Sequence, residues 1–546
     1  MILSSNWRND FLAPGPLSVH HAQLVTRGGD QTQRCASCHT AGNQTLFQWL
    51  SHPLEPRLAE PTQSSLCMEC HQKEFPAATA LLAHGIDQKL LTTRHEVELN
   101  SRKVDPSGEF ACSTCHREHH GANHNLTFMN NTACQACHAQ QFQSFATDHP
   151  EFDRWPNERR TRIAFDHGAH QVKHFPAEKQ EFACQMCHRQ SAQGFQQTLG
   201  YEVSCAKCHD SDLETSWQAG IPFVSLPIID SETLGDAGHD VGNWPEQATG
   251  DFDGPLPAIS KFLLLENPTA AKGIQLLGID FDFFDVDPDD PTHLTAAANI
   301  ISALQKYLTD LATLGHRAIS SRLEKILGRA VTDQELAAIV AHLPAEDMTA
   351  IGETWFTPAD STPSDATSNE KDRIDGGGWI RDDQIFALRY QPSGHADPWL
   401  TTWIDLLAEA THGPQRKLAE SLLLEMMKPT APGMCGSCHS VDRDDNGGLE
   451  VHWFARQAPS AGVRFTLFSH SAHTMQPQLA DCAACHKINE SATVMKSYQK
   501  LTANKFAAGF HAMTKQDCAT CHKPGAAGDN CTQCHQYHAL KLISRE

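Results

Sequence analysis

Cys112-Ser113-Thr114-Cys115-His116 is the stretch from which the rest of this 546-residue chain can be read. Two cysteines three apart, followed directly by histidine, form the attachment pattern of a c-type haem. The sulfurs suit thioether bonds to a porphyrin edge, and the imidazole can reach the iron as its proximal ligand. The pattern also stands at Cys35, Cys38, His39; at Cys67, Cys70, His71; at Cys134, Cys137, His138; at Cys184, Cys187, His188; and at Cys205, Cys208, His209. After a long gap it returns at Cys435, Cys438, His439; at Cys482, Cys485, His486; at Cys518, Cys521, His522; and at Cys531, Cys534, His535.

Ten such cysteine pairs could instead make five four-cysteine zinc ribbons, or a disulfide framework. Neither needs the histidine that follows every pair. Histidine is 33 of 546 residues. At that frequency, about 6%, its chance recurrence after all ten pairs has odds on the order of one in a trillion. The ten motifs also use all 20 cysteines. The expectation is therefore ten covalently attached c-type haems.

Length alone allows about three to four domains. Aromatic content of 7% and a mean hydropathy of −0.42 are lean for this size. Porphyrins would supply the missing apolar surface, so the haem-bearing parts should have small side-chain cores and unfold without haem. The net charge of −22 is concentrated: residues 216–430 hold 33 acidic and 14 basic side chains, the remainder 32 and 29. This balance excludes a nucleic-acid footprint. Thioether attachment takes place outside the cytoplasm, yet residues 1–20 lack a basic and then apolar leader, and no run of 18 apolar residues occurs. The expectation is an exported, periplasmic protein whose signal or membrane anchor lies upstream of Met1, an anchor that could tie it to an inner-membrane complex.

Cysteine distribution divides the chain into a six-haem segment (1–215), a haem-free acidic insertion (216–430) and a four-haem segment (431–546). Within the first and last, Glu109–Cys112 repeats as Glu181–Cys184, and Phe165–His170 as Phe468–His473, which suggests a stacked array of haem units. In the insertion, Leu294, Ile300, Ile301, Leu304, Leu308, Leu311 and Leu314 recur at helical spacing, continued by Ile319, Leu323, Ile326 and Leu327. Thr332-Asp-Gln-Glu335 is a capping box, 357–378 reads as a loop, Trp379–Tyr390 as a strand, and Asp397-Pro398 as a helix start. The fold class expected is mainly α with much irregular structure: two multihaem arrays with little regular secondary structure, separated by a mainly helical insertion.

The sixth iron ligand separates an electron carrier, filled on both faces, from a catalyst with one face open. Ten histidines are proximal, and 17 of the other 23 lie in the haem-bearing segments. The Phe-x-His-x-x-His strings at 165–170 and 468–473, with Cys112-Ser-Thr-Cys-His-Arg-Glu-His119, resemble multihaem cytochromes of the class III cytochrome c type. In that family both axial ligands are histidine, and the two histidines of such a string often serve different haems. The resemblance, at motif level over 1–215 and 431–546, implies His167, His170, His470, His473 and His119 as distal ligands. By position near a motif, His21, His52, His84, His95, His149 and His511 are further candidates, with His20, His120, His124, His174, His452, His538, Met129 and Met434 as weaker ones. The insertion's His239, His293, His316, His342, His395 and His412 read as ordinary residues.

Six carboxylates between Asp280 and Asp290 could hold calcium but lack EF-hand spacing, and a solvated acidic loop is the simpler reading. Asp442–Gly447 resembles the first half of such a loop, with Trp453 where its last ligand would stand. The function expected is electron transfer along bis-histidine haems between redox partner proteins in respiration. The alternatives are a multihaem oxidoreductase acting on a small nitrogen or sulfur oxyanion at one open haem, and a polymeric haem filament.

Overall fold

A computed structural model describes residues 15–26, 35–39, 63–74, 76, 80, 112–134, 142–152, 160–191, 196–356, 377–455, 466 and 468–535. The chain is mainly helical, with short strands and much irregular backbone. It forms two compact units that divide it differently from the three segments marked out by cysteine distribution. One comprises Met1–Pro156, Ala458–Cys485 and Ala512–Glu546; the other comprises Asn157–Gln457 and His486–His511. Each unit thus draws on both haem-bearing segments, because their turns pack on one another rather than within a segment.

In the second unit the acidic residues 216–430 build the main hydrophobic core, which extends from Trp217 to Val451. Its helices are α1 (Ala206–Ser216), α2 (Ala258–Leu264), α3 (Pro268–Leu277), α4 (Pro291–Leu314), α5 (His316–Leu327), α6 (Asp333–Ile339), α7 (Ala345–Trp355), α8 (Pro398–Ala410) and α9 (Arg416–Met426). The spine is α4, started by the Asp290 cap and Pro291 and ended at Gly315. Leu294, Ile300, Ile301, Leu304, Leu308 and Leu311 are buried as its spacing predicts, whereas Leu314, in the last turn, is exposed. α7 crosses α4 closely: a Cβ at Gly352 would lie 2.4 Å from that of Ala312, so only glycine fits. Both halves of the capping box at Thr332 and Glu335 are formed, and α6 ends at Ile339.

The strand expected over Trp379–Tyr390 is two strands. β2 (Gly378–Asp382) and β3 (Ala387–Gln391) form a hairpin, turning at Phe386 with φ 48°, and β1 (Ile221–Ser225) adds to the other edge of β3 in the order β1-β3-β2. Trp379 faces Tyr390 across the hairpin. On the buried face Phe223, Trp379, Tyr390, Trp399 and Trp403 pack ring against ring, Tyr390 stacking on Trp399 at 4.4 Å. This cluster clamps α8 to the sheet. Most of the expected loop 357–378 lies outside the described residues.

The carboxylates of the Asp280–Asp290 loop cap helices and turns: Asp282 caps the short turn Phe283–Asp285, Asp287 accepts from the Asp289 amide, and Asp290 caps α4. Asp442 and Asp444 are likewise engaged, with Arg160 and His452, and with His412 and the Asn446 and Gly448 amides. Among the described residues, no group of three or more histidine, cysteine or carboxylate side chains converges as a metal site. Among the described residues, no helix is long and apolar enough to cross a membrane.

The first unit differs in kind. Its described elements are short helices such as Val19–Thr26, Gln63–His71, Asn131–Cys134, Phe145–Asp148, His470–Thr474 and Lys515–Ala519. Its buried apolar side chains are Ala36, Met68, Ala80, Met129, Ala133, Met513 and Ala519, and none belongs to the large core.

Candidate haem sites

Each of the nine fully described Cys-x-x-Cys-His motifs makes one tight turn. In eight of them the second cysteine's N–H donates to the carbonyl of the first, at 3.0 to 3.3 Å. The turn gathers two thiols and an imidazole within five residues. The motif at Cys67 does the same at the end of the helix Gln63–His71. All nineteen described cysteines are free thiols, which argues against the disulfide framework.

Among the described residues, seven motif histidines have a second histidine opposite them. The pairs are His71 with His21, His39 with His119, His535 with His149, His188 with His167, His209 with His170, His439 with His395, and His522 with His473. Ring centroids in all seven lie 6.0 to 6.4 Å apart. In four the planes are nearly parallel, 12° to 21° apart. Aromatic pairs in general spread over about 4.5–7 Å, so the narrow range is the informative feature. An imidazole nitrogen sits about 2 Å from a metal it binds and about 1.1 Å from its own ring centre, so two rings on opposite faces of one iron would be roughly 6 Å apart. The residues present fit a bis-histidine haem.

Hydrogen bonds on the far side of the rings support this. Nδ1 of His119, His149, His170, His439, His473 and His522 contacts the backbone carbonyls of Gly15, Pro150, Asp166, His452, Ser469 and Gly528 at 2.7 to 3.1 Å. A carbonyl only accepts, so Nδ1 carries the proton and Nε2 keeps its lone pair for a metal. Burial lowers the pKa of His167 to about 4, aided by nearby His188, and lowers those of His170, His395, His439 and His486. These rings are held in the neutral, ligating form. His21 is oriented instead by a carboxylate, its Nδ1 2.5 Å from Glu118. Although burial opposes it, hydrogen bonds from Ser18 and His21 bring Glu118 down to about 2. The sequence carries Glu118 beside His119, but nothing in it pointed to this role.

Of the remaining candidates, His116 contacts the Leu126 carbonyl through Nδ1 at 2.8 Å, and His486 lies 5.8 Å from Phe510. His470 packs edge-on to Phe468 at 5.0 Å, and the His511 amide donates to the Lys487 carbonyl. Cys137, His138, His52, His84 and His95 lie outside the described residues. The residue that sequence reasoning missed is His395, read as an ordinary residue of the insertion and found 6.0 Å from His439.

The turns also touch one another in an order that is not the chain's. In the first unit the free thiols of Cys67 and Cys112 are neighbours, and Ser64, three residues before Cys67, accepts the Cys112 N–H at 3.1 Å. The same arrangement recurs between the fourth and tenth motifs. The free thiols of Cys134 and Cys531 are neighbours, and Asn131, three residues before Cys134, accepts the Cys531 N–H at 2.9 Å. Cys38 and Cys70, Cys115 and Cys134, and Cys518 with both Cys534 and Cys485 lie near enough to feel one another's charge. The attachment turns of this unit therefore follow first, second, third, fourth, tenth, ninth, eighth. In the second unit Cys187 neighbours Cys205, and Cys205 neighbours Cys438, giving fifth, sixth, seventh.

His395 is held by a built loop. Between β3 and α8 the chain passes Gly394 and Ala396, the latter at φ 61°, to the buried Asp397. One Asp397 oxygen caps α8 by accepting from the Trp399 and Leu400 amides. The other accepts from the Ser393 amide and hydroxyl and from Tyr390. Asp397→Ala should therefore destabilise the second unit by about 3 kcal/mol, since it removes a cap and strands buried donors. A lower urea midpoint by tryptophan fluorescence checks this; an unchanged midpoint would show that the loop is held otherwise.

No protein-family model, curated protein or solved structure matches the chain.

Proposed function

We propose that the chain is an exported multihaem c-type cytochrome, carrying ten covalently attached haems and passing electrons between redox partner proteins in respiration. The observation that carries this reading is the recurrence of one imidazole spacing at seven of the ten motifs. When bound, the haems supply one-electron storage at low potential, which histidine on both faces favours over histidine with methionine. The chain's part is to attach, orient and order them. Cysteine pairs hold the porphyrin edges, Nδ1 hydrogen bonds set the ring tautomers, and paired turns bring neighbouring attachment points together. The charge of residues 216–430 favours a basic partner, with association weakening as salt rises.

Expression with a c-type maturation system should yield a mature chain heavier than its 60.2 kDa polypeptide by ten haems, with low-spin spectra throughout. Mass spectrometry counts the haems. Far fewer than ten would remove the proposal. Ten haems with a carbon-monoxide-binding, high-spin fraction near one in ten would turn it toward an oxyanion oxidoreductase.

A further inference from the structure

We infer that the insertion is not haem-free in function: His395 is the distal ligand of the haem attached at Cys435 and Cys438, opposite His439. This rests on the multihaem reading above and assigns a ligand to it from a region without any attachment motif. The pair has the spacing of the other six, 6.0 Å, and nearly parallel planes at 19°. His439 turns its Nδ1 to the His452 carbonyl, leaving Nε2 for the metal. On its other side His395 stacks on Tyr201 at 3.7 Å, and Tyr201 is tethered through its hydroxyl to Asp210. A merely structural histidine would be satisfied by that stack. It would not need the strained loop at Ala396 that presents it to His439.

The rest of this site is also made by the insertion. Cys435 packs on the main hydrophobic core. A Cβ at Gly436 would lie 1.7 Å from the Met427 carbonyl at the end of α9, so only glycine lets the turn sit there. Gly433 donates its amide to Ser216 at the end of α1. Trp453, 5.0 Å from His439, is anchored by Asp405 of α8. The acidic domain thus forms the seventh haem pocket, and its folding and that ligation are coupled.

The test uses the full-length holoprotein. His395→Ala should retain ten haems by mass while one haem in ten becomes high-spin and binds carbon monoxide. Free imidazole should return that tenth to low spin. His342→Ala, elsewhere in the insertion, should leave the spectrum unchanged. His395→Met, which keeps a ligand and similar bulk, should move one component in ten to higher potential, and it decides the matter should the alanine variant not accumulate. Wild-type protein with ten low-spin haems, combined with an unaltered spectrum in His395→Ala or His395→Met, would overturn the assignment while leaving the multihaem reading intact. A wild-type chain without haem would overturn both.

Discussion

Produced without haem, the chain should fold only between about Trp217 and Val451, and digestion should leave a resistant fragment close to those limits. The side chains there justify this. Trp355, Trp399, Trp403, Tyr307, Phe223 and Phe262 are fully buried, each contributing roughly 1.5–3 kcal/mol. In the first unit the buried apolar side chains among the described residues are four alanines and three methionines. Ordering backbone costs about 1–2 kcal/mol per residue, which such a set cannot offset. Folding of that unit is therefore expected to be coupled to cofactor attachment. Limited proteolysis with mass mapping, alongside circular dichroism, tests it. Resistance of residues 112–150 in the haemless chain would mean that protein contacts alone hold them, and that porphyrins do not serve as the core.

Removing the tenth attachment with the double substitution Cys531→Ser and Cys534→Ser should interrupt electron flow instead of trimming its end. The tenth turn lies between the fourth and the ninth, through the Cys134–Cys531 contact and the Asn131 hydrogen bond. His149 and His535, 6.1 Å apart, would keep their imidazoles but have no tethered haem between them. Conductance of a protein film should collapse in this variant. The double substitution Cys35→Ser and Cys38→Ser, at the start of the series, should only shorten the path. Equal conductance of the tenth-site variant and wild type would indicate that the haems follow chain order after all.

Much of the candidate chemistry was legible before any coordinates. The ten Cys-x-x-Cys-His motifs declare themselves because their fixed spacing of cysteine and histidine is a local pattern. Helices such as α4 and α8 were readable for a similar reason, since caps at Asp290 and Asp397 and a period near 3.6 act within a few residues. The strand at Trp379–Tyr390 was misread because alternation across a hairpin looks continuous when the turn at Phe386 carries no glycine. Six distal candidates, His21, His119, His149, His167, His170 and His473, stand opposite motif histidines. The partner of each depends on long-range packing. His395 was passed over because distance from a motif along the chain was taken for distance in space.

From the amino-acid order alone come the ten attachment motifs, the acidic cysteine-free stretch and most of its helices, all of which depend on neighbours a few residues apart. Only the tertiary structure decided which imidazole faces which, that the tenth turn neighbours the fourth, and that His395 of the acidic domain lies beside His439. Those features arise from contacts between segments hundreds of residues apart, such as Asn131 with Cys531. Such contacts are selected by packing and hydrogen bonding in three dimensions, and they leave no spacing along the chain from which to read them.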